Sequence, residues 1–252
     1  MASPPAAQMT ILETTAPTMI LLVSGATTTV ARYAGHPALG RLVQPRSWNH
    51  IDAIARSGQP WGADNDALAG VRPDAYLRML DAIARAPRDQ LKFVAAPDAV
   101  ERTPRGIVGS WEGTLWLWRC WRPALVARGL PAAIVLQDGA TADSVPWDEL
   151  AAVFVGASTR WKLSRTAELL VRMARARGLW THVGRVNTMG RLARIEAMGA
   201  DSFDGSQFSR FPDTYIPPFL ARLELQQHAL PTPWHGSTRL AGGGLPARHR
   251  GG

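Results

Sequence analysis

The chain has 252 residues, 46% of them hydrophobic, which is enough for one large core without a second domain. Its 28 Lys and Arg residues outnumber its 20 Asp and Glu residues, and the net charge of +8 favours a polyanionic partner. The single cysteine, Cys120, excludes an internal disulfide bond and any multi-cysteine zinc site. The longest apolar run, residues 19–23, is too short for a signal sequence or a membrane span, so we expect a soluble cytoplasmic protein that binds no membrane.

The chain alternates short apolar runs with longer segments of helical periodicity, between two polar ends. Residues 1–15 are small and polar, and residues 230–252 are rich in Pro, Gly and Arg, so we predict a disordered tail at each end. The domain between them, residues 16–229, contains eight predicted strands, at residues 19–24, 41–44, 60–64, 92–96, 132–137, 152–156, 180–183 and 201–204.

The segments between these strands carry helix signals. Pro73 suits the first turn of a helix, and Gly199 suits the residue just after the end of another. We predict helices at residues 74–85, 111–129, 163–178 and 189–198, the last of them capped by Asn187 or Thr188. Eight strands with mostly helical connections predict an α/β fold, a single (β/α)8 TIM barrel.

Residues able to do chemistry follow six of the predicted strands. The active site of a (β/α)8 barrel forms at the C-terminal ends of its strands. Three carboxylates, an amide and exposed backbone at one mouth suit covalent glycosyl chemistry and recognition of a polar heterocycle. The candidates are Asp64, Asp98, Gln137, Gly156, His182, Gly184 and Asp204.

These candidates also have structural interpretations, which the sequence leaves open. An Asp after a strand is often a helix cap or a turn residue. Gln137 is able to satisfy a backbone group, and Gly156 is able to serve only as a turn glycine. His182 lies in an apolar strand, where a core histidine is more common than a ligand or a base.

Three cations flank the predicted mouth: Arg160 and Lys162 after the sixth strand and Arg185 after the seventh. In a basic chain we interpret them as contacts for phosphates, and the alternative is a solvated face. The six histidines lack metal-ligand spacing, and the chain has no phosphate-binding loop, dinucleotide fingerprint or nucleophile elbow. We therefore expect no metal site and no cofactor.

Six short segments occur in an order typical of one enzyme family. They are ADN at 63–65, FVAAPD at 93–98, IVLQDG at 134–139, FVGAS at 154–158, HVGRVN at 182–187 and SFDG at 202–205. Together they resemble the queuine/tRNA-guanine transglycosylases, and more closely the short phage and actinobacterial relatives that place 7-deazaguanines in DNA. The resemblance runs from about residue 24 to residue 219.

This resemblance implies a covalent base exchange. Asp204 is similar to the family's nucleophile, which attacks C1′ and holds the sugar after guanine leaves. Asp64 is similar to the carboxylate that manages protons on the departing and incoming bases.

The same resemblance implies a pocket for the base. Asp98 and Gln137 match the residues that hydrogen-bond the edge of the heterocycle, and the Gly156 N–H matches the donor to its carbonyl oxygen. His182 and Gly184 fall in the segment that forms a wall of the pocket.

Two departures from the family pattern bear on the substrate. The tRNA enzymes carry a zinc site of three cysteines and a histidine near the C-terminus, whereas no cysteine follows Cys120 here. We therefore predict a barrel without the zinc-binding subdomain, which favours DNA over tRNA. The family's first proton-handling motif continues with glycines, whereas Asn65, Asp66 and Ala67 follow Asp64 here.

The leading hypothesis is exchange of guanine in DNA for a 7-deazaguanine, such as the cyano or aminomethyl form, in the cytoplasm of a bacterium or a phage-infected host. The alternatives are the same exchange on tRNA, a non-catalytic nucleic-acid-binding barrel, and an enzyme of free nucleosides or small glycosides. The presence of both Asp64 and Asp204 argues against the non-catalytic barrel. The need for a partner protein or a second copy stays open.

Overall fold

A computed structural model describes residues 19–25, 28–104 and 106–228, so both predicted tails lie outside the described residues. The strands are β1 Ile20–Ser24, β2 Leu39–Val43, β3 Trp61–Ala63, β4 Leu91–Ala95, β5 Val100–Thr103, β6 Gly106–Gly109, β7 Ala132–Leu136, β8 Ala152–Val155, β9 Trp180–Val183 and β10 Ser202–Phe203. The helices are α1 Thr28–Ala31, α2 Ile51–Arg56, α3 Pro73–Arg85, α4 Trp111–Val126, α5 Thr159–Lys162, α6 Arg165–Ala176, α7 Met189–Met198, α8 Ser206–Arg210 and α9 Pro212–His228.

Eight strands close into a parallel barrel in the order β1-β10-β9-β8-β7-β4-β3-β2. The closing pairs join β1 to β10 on one side and β1 to β2 on the other, and both pairs are parallel. Each predicted strand coincides with one of these eight, with ends that agree within two residues. The predicted single (β/α)8 barrel is therefore confirmed.

The barrel interior is a layer of apolar side chains beneath the mouth. Its members alternate with residues that face the helices, because side chains of a strand point to opposite faces in turn. They are Leu22, Leu42, Phe93, Ala95, Ala133, Val135, Ala152 and Phe154. This alternation makes Gln137 and Gly156 the next inward positions after Val135 and Phe154, at the C-terminal ends of β7 and β8.

The helices pack their apolar faces on the outside of the barrel. In α3, Pro73 occupies the first turn as predicted, and Tyr76, Met79 and Ile83 are fully buried. Thr188 caps α7 by accepting from the Arg191 N–H at 3.3 Å, which decides between the two predicted caps. These helices form an outer core that holds the barrel strands in place, and the C-terminal ends of those strands form the mouth.

The predicted helix at residues 163–178 corresponds to α6, Arg165–Ala176, with ends that agree within two residues. The Ser164 hydroxyl accepts from the Ala167 N–H and begins α6. The 4-residue α5 was not predicted; it precedes α6 and follows β8, at the mouth of the barrel.

An antiparallel hairpin, β5 and β6, follows β4 and was not predicted. Its register pairs Val100 with Gly109 and Thr103 with Gly106. Because it begins at the C-terminal end of β4, it lies on the mouth side of the barrel, where Gly109 packs against the Gln137 side chain. Within the described ranges, no helix is long and apolar enough to cross a membrane.

Candidate active site

The two predicted catalytic carboxylates sit directly after their strands. The Asp64 N–H donates to the Val43 carbonyl at 2.8 Å, and the Asp204 N–H donates to the Val183 carbonyl at 3.3 Å. Each bond continues the parallel pairing by one residue, so both residues belong to the barrel rather than to flexible loops. Their side chains act on each other electrostatically at the mouth.

Asp64 lies in a setting that favours its protonated form. Its carboxylate accepts from the Asn65 N–H at 2.8 Å and from the Gln44 amide at 3.2 Å. Burial, and next the negative charge of Asp204, nevertheless raise the pKa of Asp64 to about 6. A carboxyl group with this pKa exchanges protons readily near neutral pH.

Asp204 lies in a setting that favours its ionised form. One carboxylate oxygen accepts from the Arg185 N–H at 2.7 Å, and the other lies 3.4 Å from His182 Nε2. Burial acts to raise the pKa of Asp204, but His182, the Arg185 N–H and the Lys162 ammonium outweigh it and hold the pKa below its ordinary value. The side chain keeps 14% exposure, which leaves it open toward the mouth.

Asp98 and Gln137 meet in a buried network, as predicted for residues of one pocket. The Gln137 amide donates to the Asp98 carboxylate and accepts from the Ala157 N–H at 2.7 Å. Burial, and also the charge of Asp64, raise the pKa of Asp98 to about 6. The groups predicted to recognise a base therefore satisfy one another in this structure.

Asn65 completes this network and was not among the predicted site residues. Its amide donates to the Asp98 carboxylate at 2.7 Å and to the Ala96 carbonyl at 2.6 Å. The sequence signal was its place directly after Asp64, at the mouth end of a strand. Asn65 thus ties the end of β3 to the end of β4.

The two glycines predicted to line the pocket are closely surrounded by other side chains. The Gly156 N–H, expected to reach the base, donates instead to the Leu136 carbonyl at 3.0 Å. A Cβ at Gly156 would lie 2.7 Å from Val135, and one at Gly184 would lie 2.8 Å from the Phe154 ring. Only glycine therefore fits these inward positions without displacing the interior layer.

His182 is fully buried inside the barrel, below Asp204. Its ring lies between Phe93 and Phe154, with ring centroids 4.8 Å and 4.5 Å away. Its Nδ1 lies 2.9 Å from the Ser202 hydroxyl. His182 is thus both a core residue and a partner of Asp204, rather than a side wall of the mouth.

The three cations predicted to contact phosphates have different surroundings in the structure. Arg160 is exposed, as that role requires. Lys162 is fully buried and its ammonium donates to the Gly184 carbonyl, so its predicted contact with a phosphate is wrong. The reason is geometric: residues advance about 100° each around a helix, so Arg160 and Lys162 face opposite ways.

Arg185 forms hydrogen bonds within the site through both its side chain and its backbone. Its half-buried guanidinium donates to the Ala157 carbonyl, and its backbone N–H binds Asp204. Its φ of 60° places it in the left-handed region, which is uncommon for a residue other than glycine. In this arrangement Arg185 shapes the mouth, and its guanidinium is not a free surface cation.

The fold and its mouth define a (β/α)8 barrel with a coupled pair of carboxylates at the end where such barrels carry active sites. No protein-family model matches the chain, and no curated protein matches it. The resemblance to guanine transglycosylases therefore stays a prediction based on the six segments. In the part of the chain that the structure describes, no group of three or more His, Cys, Asp or Glu residues is arranged to hold a metal ion.

Proposed function

We propose that the chain is a guanine transglycosylase, which exchanges guanine in DNA for a 7-deazaguanine through a glycosyl ester on Asp204. The observation that carries the proposal is the opposite shift of two neighbouring carboxyl groups. The pKa of Asp204 is held low, which suits a nucleophile, and the pKa of Asp64 is raised to about 6, which suits proton transfer.

The exchange takes two balanced steps. The Asp204 carboxylate attacks C1′ of the target nucleoside, the bond from C1′ to guanine breaks, and Asp64 gives its proton to the departing base. The incoming 7-deazaguanine then returns a proton to Asp64 and attacks C1′, which releases the Asp204 carboxylate. Neither step needs a hydrolysed nucleotide.

The buried network supports recognition of a guanine-like base. Guanine and 7-deazaguanines share an amide and amino edge that Asp98 and Gln137 are suited to pair. A base that lacks this edge could not replace the hydrogen bonds that these groups make to each other, and each bond lost without replacement costs about 1–3 kcal/mol.

A polymer substrate is supported by the charge of the chain. Its net charge of +8 favours a phosphate backbone, and Arg160 is exposed on the short helix beside the mouth. The target base must leave the stack to reach Asp204. We favour DNA over tRNA because the single cysteine excludes the zinc site of the tRNA enzymes.

Incubation with radiolabelled guanine and either duplex DNA or tRNA tests this proposal. We expect label to enter DNA with the native chain and with Asp143→Asn, which changes an exposed carboxylate outside the network. Asp204→Asn and Asp64→Asn are expected to incorporate none. Label in tRNA alone would assign the exchange to tRNA, and label in neither polymer would contradict the proposed function.

A further inference from the structure

Lys162 is a fully buried cation whose one hydrogen-bond partner among the described residues is a neutral carbonyl. Its ammonium donates to the Gly184 carbonyl, and the side chain has no solvent exposure. An ammonium group carries three donors, and its burial is costly unless a negative charge compensates it. The neutral carbonyl does not supply that charge.

Asp204 supplies the compensating charge. Burial, with repulsion by Arg185 and Arg191, lowers the pKa of Lys162 to about 7, and the negative charge of Asp204 opposes this lowering. Lys162 in turn helps to hold the pKa of Asp204 low. The cation and the carboxylate are therefore coupled.

The backbone joins the same two groups. The Gly184 carbonyl receives the Lys162 ammonium, and the next residue, Arg185, donates its N–H to Asp204 at 2.7 Å. Lys162 thus holds the end of the segment that binds the carboxylate. Displacing Lys162 would loosen that N–H as well as remove a charge.

The residue type is informative too. The chain has only two lysines, Lys92 and Lys162, among its 28 Lys and Arg residues. An ammonium group is able to lose its proton near neutral pH when it is buried, whereas a guanidinium stays charged. The buried position on the far side of the Gly184–Arg185 peptide from Asp204 therefore holds a cation that titrates.

We propose that Lys162 is a positioning residue for Asp204: its ammonium compensates the carboxylate and anchors the backbone segment that binds it. This inference rests on the proposed function, in which Asp204 is the nucleophile. Because the coupling is reciprocal, esterification of Asp204 by the sugar would weaken the hold of Lys162 on its proton.

Carboxyl and lysine NMR titrations of the free protein test the coupling without any substrate. Lys162→Met is expected to raise the pKa of Asp204, and Asp204→Asn is expected to lower the pKa of Lys162. Lys92→Met, which removes a lysine stacked over the Trp180 ring, is the matched control and should leave the pKa of Asp204 unchanged. An Asp204 titration that is the same with and without the Lys162 charge would overturn the proposal.

If Lys162→Met does not fold, Asp204→Asn still tests the coupling, because its titration measures the pKa of Lys162 directly.

The pH profile of base exchange is the functional test of the positioning role. Lys162→Met should move the acid limb of base exchange to higher pH and lower exchange on that side of the profile, and Lys162→Arg should restore the limb. An acid limb at the same pH in Lys162→Met and in the native chain would contradict the positioning role. Coupled titrations in a chain that exchanges no base would contradict the proposed function while leaving the coupling in place.

Discussion

The two carboxylates at the mouth have different surroundings, and the proposed mechanism depends on that difference. Asp204 accepts from a backbone N–H and lies beside His182, whereas Asp64 accepts from Asn65 and Gln44 and faces the charge of Asp204. The pKa of Asp204 is thereby lowered and that of Asp64 raised, which suits the anion and the proton carrier of the proposed mechanism.

Asp204→Asn tests the nucleophile. The amide keeps an oxygen for the Arg185 N–H but cannot attack C1′, so exchange should fall on the order of a thousandfold or more. Denaturing gels of the reaction with DNA should show a covalent complex for the native chain and none for the variant, with circular dichroism as the folding control. Full exchange by a folded variant would exclude Asp204 as nucleophile.

Asp64→Asn tests the raised pKa through stability. The folded pKa of about 6 lies above the ordinary 3.8, so the folded chain binds more protons between these values and loses stability as the pH rises through them. The variant should therefore exceed the native chain in unfolding free energy by roughly 1–3 kcal/mol at pH 7, and by less at pH 4. Denaturant titrations measure both.

The control for this stability difference is Asp143→Asn, which changes an exposed carboxylate. A stability change that is equal at the two pH values for Asp64→Asn would show that its carboxyl group is not perturbed by folding.

At the scale of single residues, the sequence prediction fails where tertiary packing determines whether a side chain is buried. Asp64, Asp98, Gln137 and Asp204 could be predicted because parallel strands end at one mouth. The burial of Lys162 depends on the segment after β9, whose Gly184 carbonyl meets α5, and no local pattern encodes that contact. Its position opposite Arg160 on the helix was the available signal.

At the scale of elements, the barrel strands were predictable because strands buried on both faces are continuous apolar runs. The hairpin was missed because Glu101, Arg102 and Val108 are exposed, so it lacks a hydrophobic face that alternates with a polar one. The short helix α5 was missed because four residues are too few to show helical periodicity.

Gly109→Ala tests the contact of this hairpin with the mouth. An added Cβ would lie 1.8 Å from Gln137 Oε1, so the buried amide must move away from Asp98. We expect a loss of about 1–3 kcal/mol in stability and weaker binding of a free 7-deazaguanine in calorimetry.

Gly190→Ala is the control for Gly109→Ala, because it lies in α7 with nothing within 4 Å of the new Cβ. It should leave base binding unchanged. Base affinity that is also unchanged in Gly109→Ala would mean that the hairpin does not support the pocket.

At the scale of the whole molecule, the positive charge is expected to grip the DNA backbone. Arg160→Ala should lower the slope of log affinity against log salt by about one, because one fewer counterion is released. Arg56→Ala is the matched control, since this exposed residue ends α2 at the opposite end of the barrel. Equal slopes for both variants would place the DNA elsewhere on the surface.

The central claim is tested most directly by mass spectrometry of nucleosides from the DNA of cells that express the chain and receive a 7-deazaguanine. The account predicts a 7-deazaguanine deoxynucleoside in cells with the native chain and none in cells with Asp204→Asn. DNA without the modified nucleoside in cells that contain folded native protein and the free base would contradict it.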